Sequence, residues 1–136
     1  MNREIYRDIL VGLFAGLIAP GRLQTVTGHK LGSMVGLAPL LLVRSAGSDR
    51  TKVTFTCDRG TYYFDVIIFV QQAGWTDAEA CDAVDLIEWL VSEEIDGNRS
   101  SDYVINYLKR SIVDEYTDSS GAVYYREVIP IEVKVT

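Results

Sequence analysis

Residues 61–72 read TYYFDVIIFVQQ, and this stretch is the longest strand candidate in the chain. Successive side chains of a strand point to opposite faces of a sheet, so the two alternating sets can be judged separately. Both sets are largely apolar, which is typical of a central strand that is covered on both sides. One cover can be a helix and the other a neighbouring subunit. The first set is Tyr62, Phe64, Val66, Ile68 and Val70, and the second is Tyr63, Asp65, Ile67, Phe69 and Gln71.

A helix is predicted after this strand. The sequence TDAE at 76–79 is a capping box, in which the Thr76 hydroxyl accepts from the Glu79 amide while the Glu79 carboxylate reaches back. Apolar residues then recur every three or four positions, and Asp96-Gly97-Asn98 supplies a stop. The spacing predicts a helix from 77 to about 95 that packs on the sheet. Its apolar stripe is Ala80, Val84, Ile87, Val91 and Ile95, widened by Ala83, Leu86 and Leu90.

The N-terminal stretch predicts another helix. Apolar side chains between residues 3 and 18 fall on one helical face, and Pro20-Gly21 ends the pattern. An apolar run after a charged start also fits a signal peptide, but the acidic and basic residues before the run cancel each other. We therefore favour a buried or amphipathic helix. Its apolar positions are Ile5, Ile9, Leu10, Leu13, Phe14 and Leu17.

Residues 20–38 predict a long loop or arm, because glycines recur through this segment. Loops of this length in a compact domain are usually functional or disordered. An arm that becomes ordered only against a neighbouring copy fits both descriptions.

The remaining segments predict strands. Residues 40–43 fit a buried strand, 52–57 can form another, and 100–111 fits either a short helix or an extended run. Two strand-like runs then flank a loop after Asp118, which indicates a hairpin. Pro130 cannot donate to a ladder, so the last strand lies at an edge or carries a bulge there. The order α–β–β–β–α–(α)–β–β predicts one α+β domain over residues 1–136, with an antiparallel sheet and helices packed on one face.

Charge and cysteine content limit the classes of function and the kinds of bond that the chain can form. The net charge of −6 argues against nonspecific binding to nucleic acid, which needs a basic surface. We expect Cys57 and Cys81 to be reduced and buried, because a domain of this size with a good core does not need a disulfide. Eight carboxylates and no Lys or Arg lie between residues 77 and 96. They predict a solvated helix face, or a surface that meets or repels a partner.

No grouping of residues in the sequence indicates catalysis. His29 is the single histidine, it lies in the glycine-rich loop, and no G-x-S-x-G turn accompanies it. The cysteines lack the paired spacing of a zinc site, and no glycine-rich phosphate-binding motif occurs. Asp82, Asp85 and Glu88 can share part of a helix face, but acid–base work by carboxylates needs a cleft. We expect no enzyme activity and no catalytic, metal-binding or cofactor-binding residues.

Four stretches occur in an order that is characteristic as a set: GLAPLLLVRSAGSDR, YYFDVIIFV, WTDAEACDAVDLIEWLVSEEI and SGAVYYREVIPIEVKV. In this order, in chain length and in the Gly-x-x-Tyr-x-x-Glu-x-x-Pro pattern that starts at Gly121, the chain resembles the tail terminator, or tail-completion, proteins of long-tailed bacteriophages and prophages. The resemblance covers about residues 35–136.

The resemblance implies a structural virion protein that is assembled in the host cytoplasm. Copies form a ring, typically of six, on the head-proximal end of the tail tube, where the ring stops polymerisation of the tail tube protein. The ring offers a docking face to the head–tail connector or neck protein, DNA passes through without specific binding, and no membrane takes part. Ring closure needs heterologous interfaces between copies. We expect subunit or partner contacts at Gly28, His29, Lys30, Gly32, Arg44, Arg50 and Pro130.

Two alternatives stay open at the sequence level. The chain can be another head–tail neck or tail-tube component, or, from a different class, a small cellular α+β enzyme or ligand-binding module. A deep polar pocket around His29 or Asp65 would favour the last of these.

Overall fold

The computed structural model describes residues 3–52, 58–72 and 74–135, and it confirms the α+β class. Two helices and six strands are formed by these residues. The helices are α1 (Arg3–Ala15) and α2 (Asp77–Gly97). The strands are β1 (Thr25–Thr27), β2 (Leu40–Lys52), β3 (Asp58–Gln71), β4 (Tyr103–Tyr107), β5 (Ile112–Thr117) and β6 (Val123–Val135).

The six strands form one mixed sheet. Its order is β1-β2-β3-β6, and β4 and β5 lie one after the other along the remaining side of β6. All pairs are antiparallel except β1 and β2, which run parallel. The predicted antiparallel sheet is thus found for every pair except β1 and β2, because the sequence analysis did not predict the three-residue strand β1 inside the glycine-rich segment.

Strand β3 occupies the centre of the sheet, as its two apolar faces predict. It pairs with β2 on one side and with β6 on the other. Ile67 and Phe69 on one face are almost as deeply buried as Val66 and Ile68 on the opposite face. The sheet is thus covered on both sides along this part of β3.

Both helices pack on the same face of the sheet, which confirms that prediction. The capping box at the start of α2 is present, with the Glu79 amide donating to the Thr76 hydroxyl at 3.2 Å. In α1 the buried residues include Tyr6, which stacks on Tyr62 with ring centroids 5.2 Å apart, whereas the predicted Ile5 is exposed. The buried α2 residues are Ala80, Val84, Ile87, Val91 and Ile95, as expected from the spacing.

The second face of the sheet is covered at one end by the chain's own residues 28–38. Met34 is buried there against side chains of β2, β3 and β6, and its amide donates to Asp118 Oδ2 at 3.1 Å. The Ser119 amide donates to the Gly32 carbonyl at 3.1 Å. The segment that the sequence analysis described as a loop or arm thus packs on the chain's own sheet, at a face where a neighbouring subunit was one possible cover.

Pro130 lies inside β6, between β3 and the line of β4 and β5. Its carbonyl accepts from the Leu108 amide at 3.1 Å, so its nitrogen also faces this side, because both groups of a strand residue point to the same neighbour. Proline has no amide to return this bond to Leu108, and the chain leaves the ladder for residues 108–111. The edge alternative is wrong, and the irregularity lies in the neighbouring chain segment.

Strand β2 is longer than the sequence suggested. It continues past residue 43 because a bulge between Ser45 and Gly47 carries the chain onward, with Gly47 at a φ of 137° that favours glycine. Of the separate strand predicted over 52–57, Lys52 belongs to β2, and residues 53–57 lie outside the described residues. The ambiguous run 100–111 is extended and contains β4.

The predictions for the two cysteines have different outcomes. Cys57 lies outside the described residues. Cys81 is a free thiol on the exposed side of α2, so its predicted burial is wrong. The buried positions of this helix begin one residue earlier, at Ala80, which turns the next residue toward solvent.

Candidate interaction surfaces

Three of the predicted contact residues come together on the second face of the sheet. His29 and Lys30 from the glycine-rich segment and Arg44 from β2 line a narrow groove, with Tyr116 and Arg126 also in its wall. Its free space is about 30 Å³, enough for one or two water molecules and too small for an organic substrate. The structure thus places His29 beside a shallow groove and not in a deep polar pocket.

The arginines of this groove are paired within the chain. Arg44 Nη2 lies 3.1 Å from Asp65 Oδ2. Arg126 donates to both carboxylate oxygens of Asp114, at 2.8 and 2.6 Å, and this pairing lowers the pKa of Asp114. The Lys30 ammonium lies 5.9 Å from the centroid of the Tyr116 ring. Much of the positive charge of the groove is therefore offset locally.

The other predicted contact residues are dispersed. A methyl group on Gly28 would approach Val11 Cγ2 to 3.3 Å, so this glycine permits close packing on α1. Gly32 binds Ser119 through its carbonyl, and Pro130 is buried in β6. Arg50 lies in β2 opposite Gly60. The structure does not gather these four positions into the groove.

The outer side of α2 carries an exposed apolar pair, which the sequence analysis did not identify as a surface. Leu86 is 40% exposed and Trp89 is 53% exposed, one helical turn apart. Leu86 was expected to widen the buried stripe, but the buried positions direct it away from the sheet. A helical wheel centred on those positions would have shown this. We call Asp82, Leu86, Trp89 and Glu93, which follow each other at spacings of three and four, the α2 outer face.

A second exposed surface lies at the edge of the sheet formed by β4 and β5. Leu108, Ile112 and Val113 are 43–57% exposed here. Lys109 and Arg110, also exposed, lie between them where the chain leaves the ladder. Among the described residues neither cation forms a salt bridge. We call residues 108–113 the edge segment.

A buried carboxyl lies between these two surfaces. Glu127 of β6 is 5% exposed, and its Oε2 has no hydrogen-bond partner within the described part of the chain. Burial, followed by the charges of Glu88 and Asp85 on α2, raises the pKa of Glu127 to about 7, although a hydrogen bond from Ser111 acts in the opposite direction. The sheet-facing side of α2 therefore adds negative charge near a carboxyl that is already poorly solvated.

An open cleft of about 560 Å³ lies beside the turn that follows α1. Its lining is mainly apolar and includes Ile18, Pro20, Pro39 and Trp75. Arg22 is the one charged side chain among the described residues of the lining, so no acid–base pair is formed there.

The chemically reactive side chains do not converge. No group of three or more His, Cys, Asp or Glu side chains in residues 3–52, 58–72 and 74–135 is arranged to hold a metal ion. Partial burial, together with the nearby Asp77, Asp85 and Asp82, raises the pKa of the Cys81 thiol. A thiol with a raised pKa is mostly protonated at neutral pH and is a poor nucleophile.

No protein-family model and no curated protein sequence matches this chain. Neither helix in the described part is both long enough and apolar enough to cross a bilayer. The class that the structure defines is thus an α+β protein with a mixed six-stranded sheet and exposed apolar side chains on α2 and at the sheet edge.

Proposed function

We propose that this chain is a structural virion subunit that forms a ring, typically of six copies, at the head-proximal end of a phage tail tube. The ring stops growth of the tube and offers a docking face to the head–tail connector or neck protein. Support comes from the sequence resemblance over residues 35–136 and from the placement of exposed apolar side chains.

The observation that carries the proposal is the exposure of apolar side chains on both the α2 outer face and the edge segment. A closed ring is built from heterologous contacts, in which one surface of each copy meets a different surface of the next copy. Exposed apolar patches on soluble proteins commonly mark interaction sites. Two such surfaces, one on a helix and one at a sheet edge, are what a ring subunit needs.

The net charge of −6 fits a component through which DNA moves without specific binding. A wall without a basic stripe does not hold phosphates, so DNA can slide past it. In this proposal the protein is part of the virion tail and is assembled in the host cytoplasm.

The test combines native mass spectrometry of the purified chain with polymerisation of the tail-tube protein encoded by the same phage genome. We expect a closed oligomer of one copy number, and tubes that stop growing when the oligomer is added and carry it at one end. Chain that has been unfolded beforehand serves as the control.

Two results would overturn the proposal. One is a chain that stays monomeric at every concentration and leaves tube growth unchanged. The other is an oligomer that binds the head–tail connector but neither binds nor stops tubes, which would identify another neck component.

A further inference from the structure

Charge is strongly segregated along this chain. Helix α2 carries eight carboxylates and no Lys or Arg. The other 11 carboxylates of the chain's 19 face 13 Lys and Arg residues, so the remainder has a net charge of +2. The salt bridges formed by the described residues, Arg44–Asp65 and Arg126–Asp114, include no residue of α2. The helix therefore presents negative charge that the rest of the chain does not neutralise.

The α2 outer face has the composition of a binding surface. Trp89 and Leu86 form its centre, and Asp82 and Glu93 flank them. Exposed tryptophan surrounded by charged residues is typical of the residues that dominate protein–protein binding. This face points away from the chain's own sheet, because the opposite side of the helix supplies the buried stripe.

The edge segment has the same layout with the opposite charge. Lys109 and Arg110 are adjacent and exposed, and Leu108 and Ile112 lie on either side of them. The segment leaves the ladder after the Leu108 amide has bonded to the Pro130 carbonyl, so regular pairing with β6 resumes only at β5. Two cations with apolar neighbours are thus available at the sheet edge.

We propose that the α2 outer face of one copy binds the edge segment of a second copy in a head-to-tail contact. The inference rests on the proposed function, because repetition of this contact supplies the subunit interface of the ring. Carboxylates beside Trp89 meet Lys109 and Arg110, while Leu86 and Trp89 cover Leu108 and Ile112. In a head-to-tail contact each junction uses one α2 outer face and one edge segment, which leaves one free surface on each side to continue the ring.

Charge reversal on either surface tests the contact. One variant carries Lys109→Glu and Arg110→Glu, and the other carries Asp82→Lys and Glu93→Lys. We expect each variant alone to associate at least about tenfold more weakly than wild type in sedimentation or mass photometry, since like charges then face each other. Lys134→Glu, which changes an exposed cation near the end of β6, is the control and should leave association unchanged.

Mixing the two charge-reversed variants tests whether the α2 outer face meets the edge segment, and the copy number of the restored oligomer distinguishes a head-to-tail contact, which builds a ring, from a two-fold contact, which stops at a dimer. Each junction in the mixture joins opposite charges again, so the full oligomer should reappear, and a chain with all four substitutions should also assemble. Trp89→Ser should weaken association at low and high salt, because apolar contacts are not screened, whereas Trp75→Ser, at another exposed tryptophan, should not. Circular dichroism confirms that each variant is folded.

Failure of this inference can be separated from failure of the proposed function. If charge-reversed chains still form the wild-type oligomer and stop tubes, or if Lys134→Glu dissociates it to the same extent, the contact is overturned and the ring proposal stands. If the mixture restores an oligomer that does not act on tubes, the contact is supported and the ring proposal fails. A mixture that stays monomeric while wild type assembles also overturns the contact.

Discussion

Two buried carboxylates in the last hairpin differ in their hydrogen-bond partners, and their pKa values shift in opposite directions. Asp118, in the turn between β5 and β6, is 6% exposed, and Glu127, in β6, is 5% exposed. Asp118 accepts five hydrogen bonds, from three amides and two hydroxyls. Hydrogen bonding, first from the Ser120 hydroxyl and then from the Met34 amide, lowers the pKa of Asp118 to about 2. Within the described part of the chain, one carboxylate oxygen of Glu127 has no hydrogen-bond partner, and burial beside acidic residues raises the pKa of Glu127 to about 7.

The difference shows that partners, and not burial alone, decide what a buried carboxylate does for a fold. Asp118 joins the glycine-rich segment, through Met34, to the hairpin turn, so its charge stabilises a long-range contact. Glu127 meets the carboxylates of α2, so its charge opposes the packing of that helix on β6.

The two groups give opposite signs of pH dependence. The pKa of Asp118 is lowered on folding, so its contribution is complete above its ordinary pKa of 3.8 and is lost as the pH falls toward about 2. The pKa of Glu127 is raised from 4.5 to about 7, so the folded state holds the proton more tightly and stability falls as the pH rises through that interval.

The largest effect is expected from Asp118→Asn. An amide keeps one acceptor oxygen but turns donor hydrogens toward groups that themselves donate, which leaves buried amides unpaired. At pH 7 we expect the midpoint of thermal unfolding to fall by roughly 10 °C. The gap to wild type should narrow near pH 2, where the wild-type carboxylate is also protonated. A variant as stable as wild type at pH 7 would mean that Asp118 does not anchor the glycine-rich segment.

The next effect has the opposite sign. Glu127→Gln keeps the shape and an acceptor for Ser111 but removes the charge that faces α2. After allowance for partial screening by solvent, we expect the free energy of unfolding at pH 8 to rise by about 1 kcal/mol. At pH 4 the wild-type carboxyl is already neutral, and the two proteins should be equally stable. Urea unfolding at both pH values measures this, and a less stable variant at pH 8 would remove the contrast with Asp118.

Local signals in the sequence predicted the hairpin that follows Asp118, but they did not predict the long-range partner of Asp118. The hairpin after Asp118, the capping box of α2 and the two apolar faces of β3 depend on residues close together in the chain, so spacing predicted them. The bond between Asp118 and Met34 joins residues separated by 84 positions, and no local pattern encodes such a partner. Spacing alone therefore left the glycine-rich segment as a loop or arm.

The candidate surfaces follow the same division. His29, Lys30 and Arg44 were each expected at a contact, and the structure places them in one groove. The pairing of Arg44 with Asp65 depends on how the strands fold together, so a local pattern does not predict it. Leu86 and Trp89 were within reach of sequence analysis, because the five buried positions of α2 define its outer side. The edge segment was not, since its exposure depends on β4 and β5 sharing one side of β6.

A third carboxylate, neither fully buried nor unpartnered, sharpens the comparison. The Asp114 side chain is 40% exposed and forms a two-pronged pair with Arg126. For Asp114→Asn we expect a loss of about 0.5 kcal/mol at low salt, which shrinks as salt is added, because exposed ion pairs are weak and screened. Denaturant unfolding at two salt concentrations measures it. A loss as large as that of Asp118→Asn would show that pairing matters irrespective of burial.

The smallest effect is expected from Ser111→Ala, which acts on Glu127 alone. The Ser111 hydrogen bond favours the charged form of Glu127, so its removal should raise the pKa of that carboxyl further. We expect a loss of about 0.5 kcal/mol at pH 8, where the charge is present, and a smaller loss at pH 4. Ser92→Ala is the control, because the Ser92 hydroxyl donates to Glu88, at 2.9 Å, and not to Glu127. Carbon-13 titration of the Glu127 carboxyl reads the shift directly, and a lower pKa in Ser111→Ala would mean that the hydroxyl does not stabilise the charge. Because the neutral carboxamide of Glu127→Gln has no charge to stabilise, adding Ser111→Ala to that variant should give a loss that does not change with pH.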